Sequence, residues 1–337
     1  MQPEGVSIII CGYNAANRIQ PTLNALQQQQ FSREKINWEV IIIDNASTDN
    51  TSLVASEVWK KNFVTAFRIV REEKPGLMHA RHKGLSEAKY EIVSFIDDDN
   101  WVEPFWVEKV VSVFSIDKNI GACGGSSEAV FETVQPDWFS TYENSFAVGK
   151  QAEATGYIEN KKGYLWGAGL SIRKSLWQEL LKHGFKNLTI GRDGKNVTAG
   201  EDTELCFAFR LLGYRLYYRQ DLTLKHYMPL ARMNFSYFKK MIIGFGKTNV
   251  RLNCYRLLLY PESFKFREWW YEGLVAIKSI LKLSVAIIFI SDQQAKLKAK
   301  VNRVYWIGYA LQVMKDRKQL KSMTVEIKKV FKNFVIN

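Results

Sequence analysis

Three mostly apolar runs punctuate the first hundred residues: Val6–Cys11, Trp38–Ile43 and Tyr90–Ile96. Short continuous runs of this kind are the pattern of strands buried on both faces of a parallel sheet. Between them the spacing turns helical. Asn14–Gln30 carries Ile19, Leu23 and Leu26 on one face, with Pro21 in its first turns. Thr51–Lys61 and Gly76–Ala88 read as further helices, and Phe67–Val70 as a weaker strand. Strands alternating with helices predict an α/β fold with a doubly wound sheet. Such sheets bind ligands beyond the carboxyl ends of their strands.

Polar residues stand at those ends: Tyr13-Asn14 after the first run, Asp44-Asn45 after the second, and Asp97-Asp98-Asp99 after the last. Three adjacent carboxylates repel one another, and a divalent cation relieves that repulsion with hard oxygen ligands, Mg²⁺ or Mn²⁺ bridging a phosphate being the natural choice. The competing reading is a solvated acidic turn. Asp44 likewise reads either as a hydrogen-bond acceptor for a base or ribose, or as a turn-forming side chain.

Beyond residue 120 the pattern loosens. Gly121–Gly125 and Tyr164–Gly169 are glycine-rich and aromatic, Leu170–Leu181 and Glu201–Gly213 read as helices, and Tyr214–Tyr218 as a strand leading to His226. The last third changes character again. Residues 228–337 carry 21 Lys+Arg against six Asp+Glu, whereas residues 1–227 are close to neutral. A basic surplus of this size suits a polyanionic partner, either nucleic acid or an anionic membrane face. Arg267–Ile290 opens with Trp269-Trp270-Tyr271 and continues with an apolar stretch interrupted by Lys278 and Lys282. It is short of the roughly 20 apolar residues of a spanning helix. Aromatics at one end and lysines four apart suit a helix lying in the membrane interface, as does Val301–Met314 with Tyr305, Trp306 and Tyr309. The alternative is a helical pair packed on the α/β domain.

Cys11, Cys123, Cys206 and Cys254 form no CxxC pair and read as free thiols of a reducing compartment. The start, Met1-Gln2-Pro3-Glu4-Gly5, shows neither a basic leader region nor a cleavage site, so the expectation is a cytoplasmic protein.

Several stretches together carry a family resemblance. Val6–Asn14 and Glu39–Asp49 resemble the first two strands of family 2 glycosyltransferases; Gly76-Leu77-Met78-His79-Ala80-Arg81-His82-Lys83-Gly84 resembles their Gly-Leu-x-x-Ala-Arg-Asn-x-Gly helix start. The Asp97–Asp99 triplet sits where their Asp-x-Asp motif belongs, and Gly200-Glu201-Asp202 matches their Glu-Asp motif. Cys11-Gly12 and His82 depart from the commoner residues. Each motif alone is weak, whereas five in family order across residues 6–226 are specific.

The resemblance implies a GT-A (Rossmann-like nucleotide-diphospho-sugar transferase) fold and metal-dependent, inverting transfer from a nucleotide sugar, most readily a UDP-sugar. It implies Cys11, Tyr13, Asn14, Asp44, Asn45, Arg81, Asp97 and Asp98 on the nucleotide sugar. Asp97, Asp99 and His226 are expected on Mn²⁺ or Mg²⁺, and Asp202 as the base at a helix start. Glu201 and Asp202 also suit simple complementarity to the helix dipole, and His226 a structural role. Trp166 and Gly167, with Glu201, are expected on the acceptor side, although Trp166 equally suits a core. Residues 1–227 are expected to form the catalytic domain, with 1–115 binding the nucleotide sugar and 116–227 facing the acceptor. Residues 228–337 are expected to be a helical, membrane-associating region. The expected acceptor is a saccharide, lipid-linked, at the inner face of the cell membrane. A processive synthase is disfavoured because no Gln-x-x-Arg-Trp motif follows Asp202. A non-catalytic nucleic-acid binder using the basic tail is the alternative class; no nucleic-acid motif accompanies that tail, so no nucleic-acid partner is expected.

Overall fold

A computed structural model describes the chain except for residues 1–4, 33–35, 159–162, 190, 192–198, 266, 333 and 335–337. The chain forms two compact units, one of Met1–Lys182 with Gly213–Leu230, the other of His183–Leu212 with Ala231–Asn337. Residues 183–212 thus group with the C-terminal helices.

The first unit is built on one sheet. Its opening half alternates β1 (Gly5–Gly12), α1 (Ile19–Gln27), β2 (Asn37–Asn45), α2 (Thr51–Lys61), β3 (Ala66–Glu72), α3 (Leu77–Glu87) and β4 (Ile92–Asp97). These four strands are parallel in the order β3-β2-β1-β4. The order reverses at β1, which places the ligand crevice of a doubly wound sheet beyond the β1 and β4 ends. Ile8, Ile9, Ile10 and Ile41–Ile43 are fully buried, as two covered faces require. Residues 14–18, expected as helix, form the loop before α1, where Asn14 takes a positive φ of 47° and Ala15 N–H bonds Thr51 Oγ1 at 2.7 Å. Tertiary hydrogen bonds compete there with the helical ladder.

The sheet continues through β5 (Asn100–Val102), α4 (Trp106–Ile116), β6 (Ile120–Phe131), a helical turn α5 (Phe139–Tyr142), β7 (Gly156–Tyr157), β8 (Ser171–Arg173), α6 (Lys174–Lys182) and, after the excursion into the second unit, β9 (Arg215–Met228). Two expectations change here. Gly121–Gly125 lies within a twelve-residue strand rather than irregular chain. Leu170–Leu181 splits: Ser171–Arg173 pairs antiparallel with both β4 and β6, and the helix begins only at Lys174. Sheet pairing on both edges overrides the helical period of that run.

The second unit is helical: α7 (Glu201–Leu211), α8 (Phe235–Leu259), α9 (Trp269–Phe289), α10 (Gln293–Asp316) and α11 (Leu320–Phe331). Asn234 caps α8 by accepting from Tyr237 N–H at 2.8 Å, and Asp292 caps α10 by accepting from Ala295 N–H at 2.7 Å. α8 packs against α7, α10 and α11, while α9 packs on α10.

Candidate active site

The ends of β1, β2 and β4 are level with one another. In the sheet register Cys11 faces Asp97 across β1–β4, Gly12 faces Asp44 across β1–β2, and Asp44 faces Arg71 across β2–β3. The polar residues singled out from sequence at these three ends therefore meet along one edge of the sheet.

Asp97 closes β4, and Asp98-Asp99 form the turn into β5. β5 pairs antiparallel with β9, in a register that sets Asn100 opposite His226. His226 Nε2 lies 3.5 Å from Asp99 Oδ1, and both side chains are buried. Asp99 Oδ1 also accepts from Asn100 Nδ2 at 3.2 Å. Asp98 has a different partner: Arg18 donates to both of its oxygens.

A carboxylate oxygen and an imidazole nitrogen brought together at a strand end are donor types that bind divalent cations. The mixed O/N pair suits Mn²⁺ better than Mg²⁺, which prefers oxygen throughout. Among the described residues no group of three or more His, Cys, Asp and Glu is placed to hold a metal ion.

The loops after β1 and β2, expected on the nucleotide sugar, are knit by their own hydrogen bonds. Asp44 Oδ1 accepts from Ser47 N–H at 3.1 Å; Oδ2 accepts from Ser52 Oγ at 2.6 Å and Arg71 at 2.9 Å. Burial pushes this carboxyl up, but the bonds from Ser47, Ser52 and Arg71 outweigh it and hold it below the usual range. Asp44 is thus an ionised turn-former, and the binding role expected of it would be additional. Asn45 commits its amide to the loop before α3, donating to Lys74 O at 2.6 Å and accepting from Gly76 N–H at 2.7 Å. Asn14 bridges two loops, its Oδ1 accepting from Thr48 N–H at 2.8 Å. Tyr13 is about half exposed beside these groups, so its ring is open to a planar ligand. Burial pushes the Cys11 thiol up to about 12; the Arg81 charge lowers it, and Asp97 and Asp98 raise it. It is a neutral packing group rather than a nucleophile.

Arg81 is buried on α3, its guanidinium 5.2 Å from the centre of the Phe95 ring. Gly84, one turn on, explains how α3 comes so close: a Cβ there would meet Ile9 Cγ2 at 2.5 Å. On the expected acceptor side, Trp166 is buried and its N–H bonds Gln151 Oε1 at 2.7 Å, while Gly167 O accepts from Leu170 N–H at 3.2 Å.

In the second unit, α7 begins at Glu201 after Gly200, whose φ of 122° and close approach to Thr248 exclude a side chain. Asp202 thus lies in a helical first turn, as expected. Its Oδ1 accepts from Thr203 N–H at 2.7 Å, and Glu201 is buried. The first-turn setting stabilises both carboxylates irrespective of catalysis.

Two participants escaped the sequence reading. Arg18 sits just before α1, where a cation opposes the helix dipole, and nothing local in the sequence marks the acid 80 residues on that pairs with it. Glu204, buried on α7, accepts from Leu188 N–H, Thr189 N–H, Thr189 Oγ1 and Tyr255 OH at 2.5–3.0 Å. Burial still raises its carboxyl above the usual value despite these bonds.

Residues 7–181 match the family described as glycosyl transferase family 2, more than half of the 337 residues. The chain belongs to that family. This family 2 glycosyltransferase is similar to the putative glycosyltransferase EpsH of Bacillus subtilis, with 28% identity over 171 residues, 49% of this chain and 46% of that protein. The match spans under half the length of EpsH. A longer match, 21% identical over 289 residues, covers 82% of this chain and 85% of the glucosyl-dolichyl phosphate glucuronosyltransferase of Haloferax volcanii. Among solved structures the glycosyltransferase is similar to mannosyltransferase PcManGT from Pyrobaculum calidifontis in complex with GDP-Man and Mn²⁺. The TM-score is 0.53 at 20% identity, covering 98% of this chain and 86% of that one. The α/β fold of GT-A type expected from sequence is the fold found.

Proposed function

We propose that this chain transfers one sugar from a nucleoside-diphosphate sugar, with UDP-sugars the first donors to test, to a saccharide acceptor, inverting the anomeric carbon. The observation that carries this reading is the meeting of Asp99 and His226 beside Asp97 at the switch-point end of the sheet. A cation taken up between the diphosphate and Asp97, Asp99 and His226, which would have to close on it, would neutralise the diphosphate as it leaves. Tyr13 offers its exposed ring to the base, and Asp44, Asn14 and Asn45 hold the loops that shape the nucleoside side. Arg81 adds a fixed positive charge. Asp202 takes the proton of the attacking acceptor hydroxyl, and Trp166, Gly167 and Glu201 belong to the acceptor side. In this reading residues 1–115 bind the donor and 116–227 face the acceptor. The acceptor is lipid-linked, so the chain works as a peripheral protein on the inner face of the cell membrane. A relative named for a dolichyl phosphate substrate supports the lipid-linked class, and a structural neighbour holding GDP-Man and Mn²⁺ supports a sugar nucleotide with a metal.

The test is calorimetric titration of UDP and GDP with Mn²⁺, with Mg²⁺ and with EDTA. Binding should require the cation and should weaken at least tenfold in Asp99→Ala and in His226→Ala. Unchanged affinity in EDTA would remove the cation from the reading.

A further inference from the structure

Helix α9 carries large apolar side chains on its outward side as well as its inward side. The inward side holds half-buried Ile280, Leu283 and Ile287 together with small and polar residues. Ala276 is fully buried, Glu272 Oε2 accepts from Tyr309 OH of α10 at 2.8 Å, and Ser284 Oγ faces the Arg303 guanidinium of α10 at 3.5 Å. Its outward positions are large and apolar: Trp270, Leu274, Ile277, Leu281, Val285 and Ile288 are all exposed. Steps of three or four residues averaging 3.6 align these side chains in one stripe along the helix. Exposure reaches 61% at Leu281, 73% at Ile288 and 80% at Phe289, far from a packed core. By the rise per residue the stripe is about 27 Å long. A contiguous apolar strip of this length on a water-soluble face marks a contact surface.

What the strip contacts is indicated by its borders. Lys278 and Lys282 are exposed and follow Ile277 and Leu281, lining one shallow groove with Leu274 and Val285. Their ammonium groups lie beside the apolar stripe rather than opposite it, where long side chains reach a phosphate layer while their stems stay in hydrocarbon. Trp269, Trp270 and Tyr271 stand at the amino-terminal end, the amphipathic rings that settle at headgroup depth. The surrounding sequence 228–337 has 21 basic and six acidic residues, complementary to an anionic surface. Among the described residues no helix is long and apolar enough to cross a membrane.

We propose that the outward face of α9 is a membrane-docking surface that lies in the plane of an anionic bilayer. The stripe enters the acyl boundary, and Lys278 and Lys282 rest at the phosphates. The inference deepens the reading above by naming the element that brings the enzyme to a lipid-linked acceptor. It depends on that reading only for the acceptor, since the binding surface is independent of the transfer chemistry.

The full-length chain is floated with vesicles of 30% anionic phospholipid, without donor or acceptor, beside Leu274→Asn/Leu281→Asn and Lys278→Gln/Lys282→Gln. The leucine pair should lower partitioning by at least about tenfold, since two apolar side chains no longer enter the acyl boundary. The lysine pair should lower it a few-fold at low salt, with the difference vanishing at 0.5 M salt. All these side chains are exposed, so melting temperatures should stay within a few degrees. Wild-type partitioning by the leucine variant would overturn the proposal. So would a concentration-dependent dimer in sedimentation that the leucine pair abolishes, because the stripe would then be covered by a second copy. Transfer to a water-soluble acceptor, assayed without lipid, keeps this inference separate from the activity. Loss of vesicle binding with that transfer intact supports the docking role. A chain that binds vesicles through the stripe yet transfers no sugar would defeat the proposed reaction and leave the surface standing.

Discussion

Arg18 holds Asp98 in a two-pronged ion pair, Nε to Oδ1 at 2.9 Å and one terminal nitrogen to Oδ2 at 2.7 Å. The same guanidinium donates to Asn14 O at 2.7 Å and Tyr13 O at 3.0 Å. One side chain thus ties the loop after β1 to the acidic turn after β4, and fixes the backbone that presents the Tyr13 ring. Only a planar, forked cation makes all four bonds. Arg18→Lys keeps the charge and loses the fork. Its expected effect is a donor KM raised about tenfold with kcat changed less than threefold, because charge-assisted bonds are each worth about 1.5–3 kcal/mol when made in full. Steady-state kinetics against donor concentration check this; a fall in kcat at constant KM would assign Arg18 to the chemical step.

Asp202 is tested by its amide. Asp202→Asn retains the acceptor oxygen that bonds Thr203 N–H, so the first turn of α7 should keep that bond while the base is lost. Turnover should fall by about 10²–10⁴ with donor affinity nearly unchanged. Single-turnover assays with donor titration decide it. Collapsed donor binding with high residual turnover would make Asp202 a capping residue.

The Glu204 carboxylate accepts bonds from two main-chain N–H groups of residues 188 and 189. An amide in its place presents a donor to donors, so Glu204→Gln should cost stability, about 1–3 kcal/mol for each buried group left unpaired. The wild-type carboxyl is raised above its unfolded value, so its charge weakens the fold as pH climbs from near 4 through the raised folded value. The gap between wild type and Glu204→Gln, measured by urea unfolding, should therefore be widest at low pH and narrow across that window. An equal gap at every pH would refute the assignment.

Asp44 behaves oppositely. Its folded carboxyl lies below the ordinary value, so the stability it contributes is present in full above about pH 4 and is lost as pH falls through the lower folded value. Asp44→Asn should be less stable than wild type at pH 7, and the difference should shrink as pH falls below about 4. Urea midpoints across that range provide the measurement.

The first hundred residues were legible because each parallel strand is buried on both faces and so announces itself as an apolar run. The polar residues at the β1, β2 and β4 ends then followed from the topology, and the Asp99–His226 pairing from a family resemblance. What stayed hidden had no local signature. Ser171–Arg173 is a strand only because β4 and β6 are there to pair with it. Arg18 reads as one more surface arginine until the acidic turn folds back over it, 80 residues on. The second unit is discontinuous, and hydropathy along a chain carries no record of which distant segment a helix will pack against.

That discontinuity changes what the last third of the chain is for. Nine of the eleven α7 residues are buried, and α8, which begins more than twenty residues later, is a neighbour on which α7 folds. Tyr255 of α8 bonds Glu204, and Arg251 of the same helix donates to Leu188 O at 2.6 Å while pairing with Asp316 of α10. Shortening the chain near residue 230 would strip the helix bearing Asp202 of this support. The C-terminal helices are therefore no detachable anchor: the proposed base travels only with the helices that follow it.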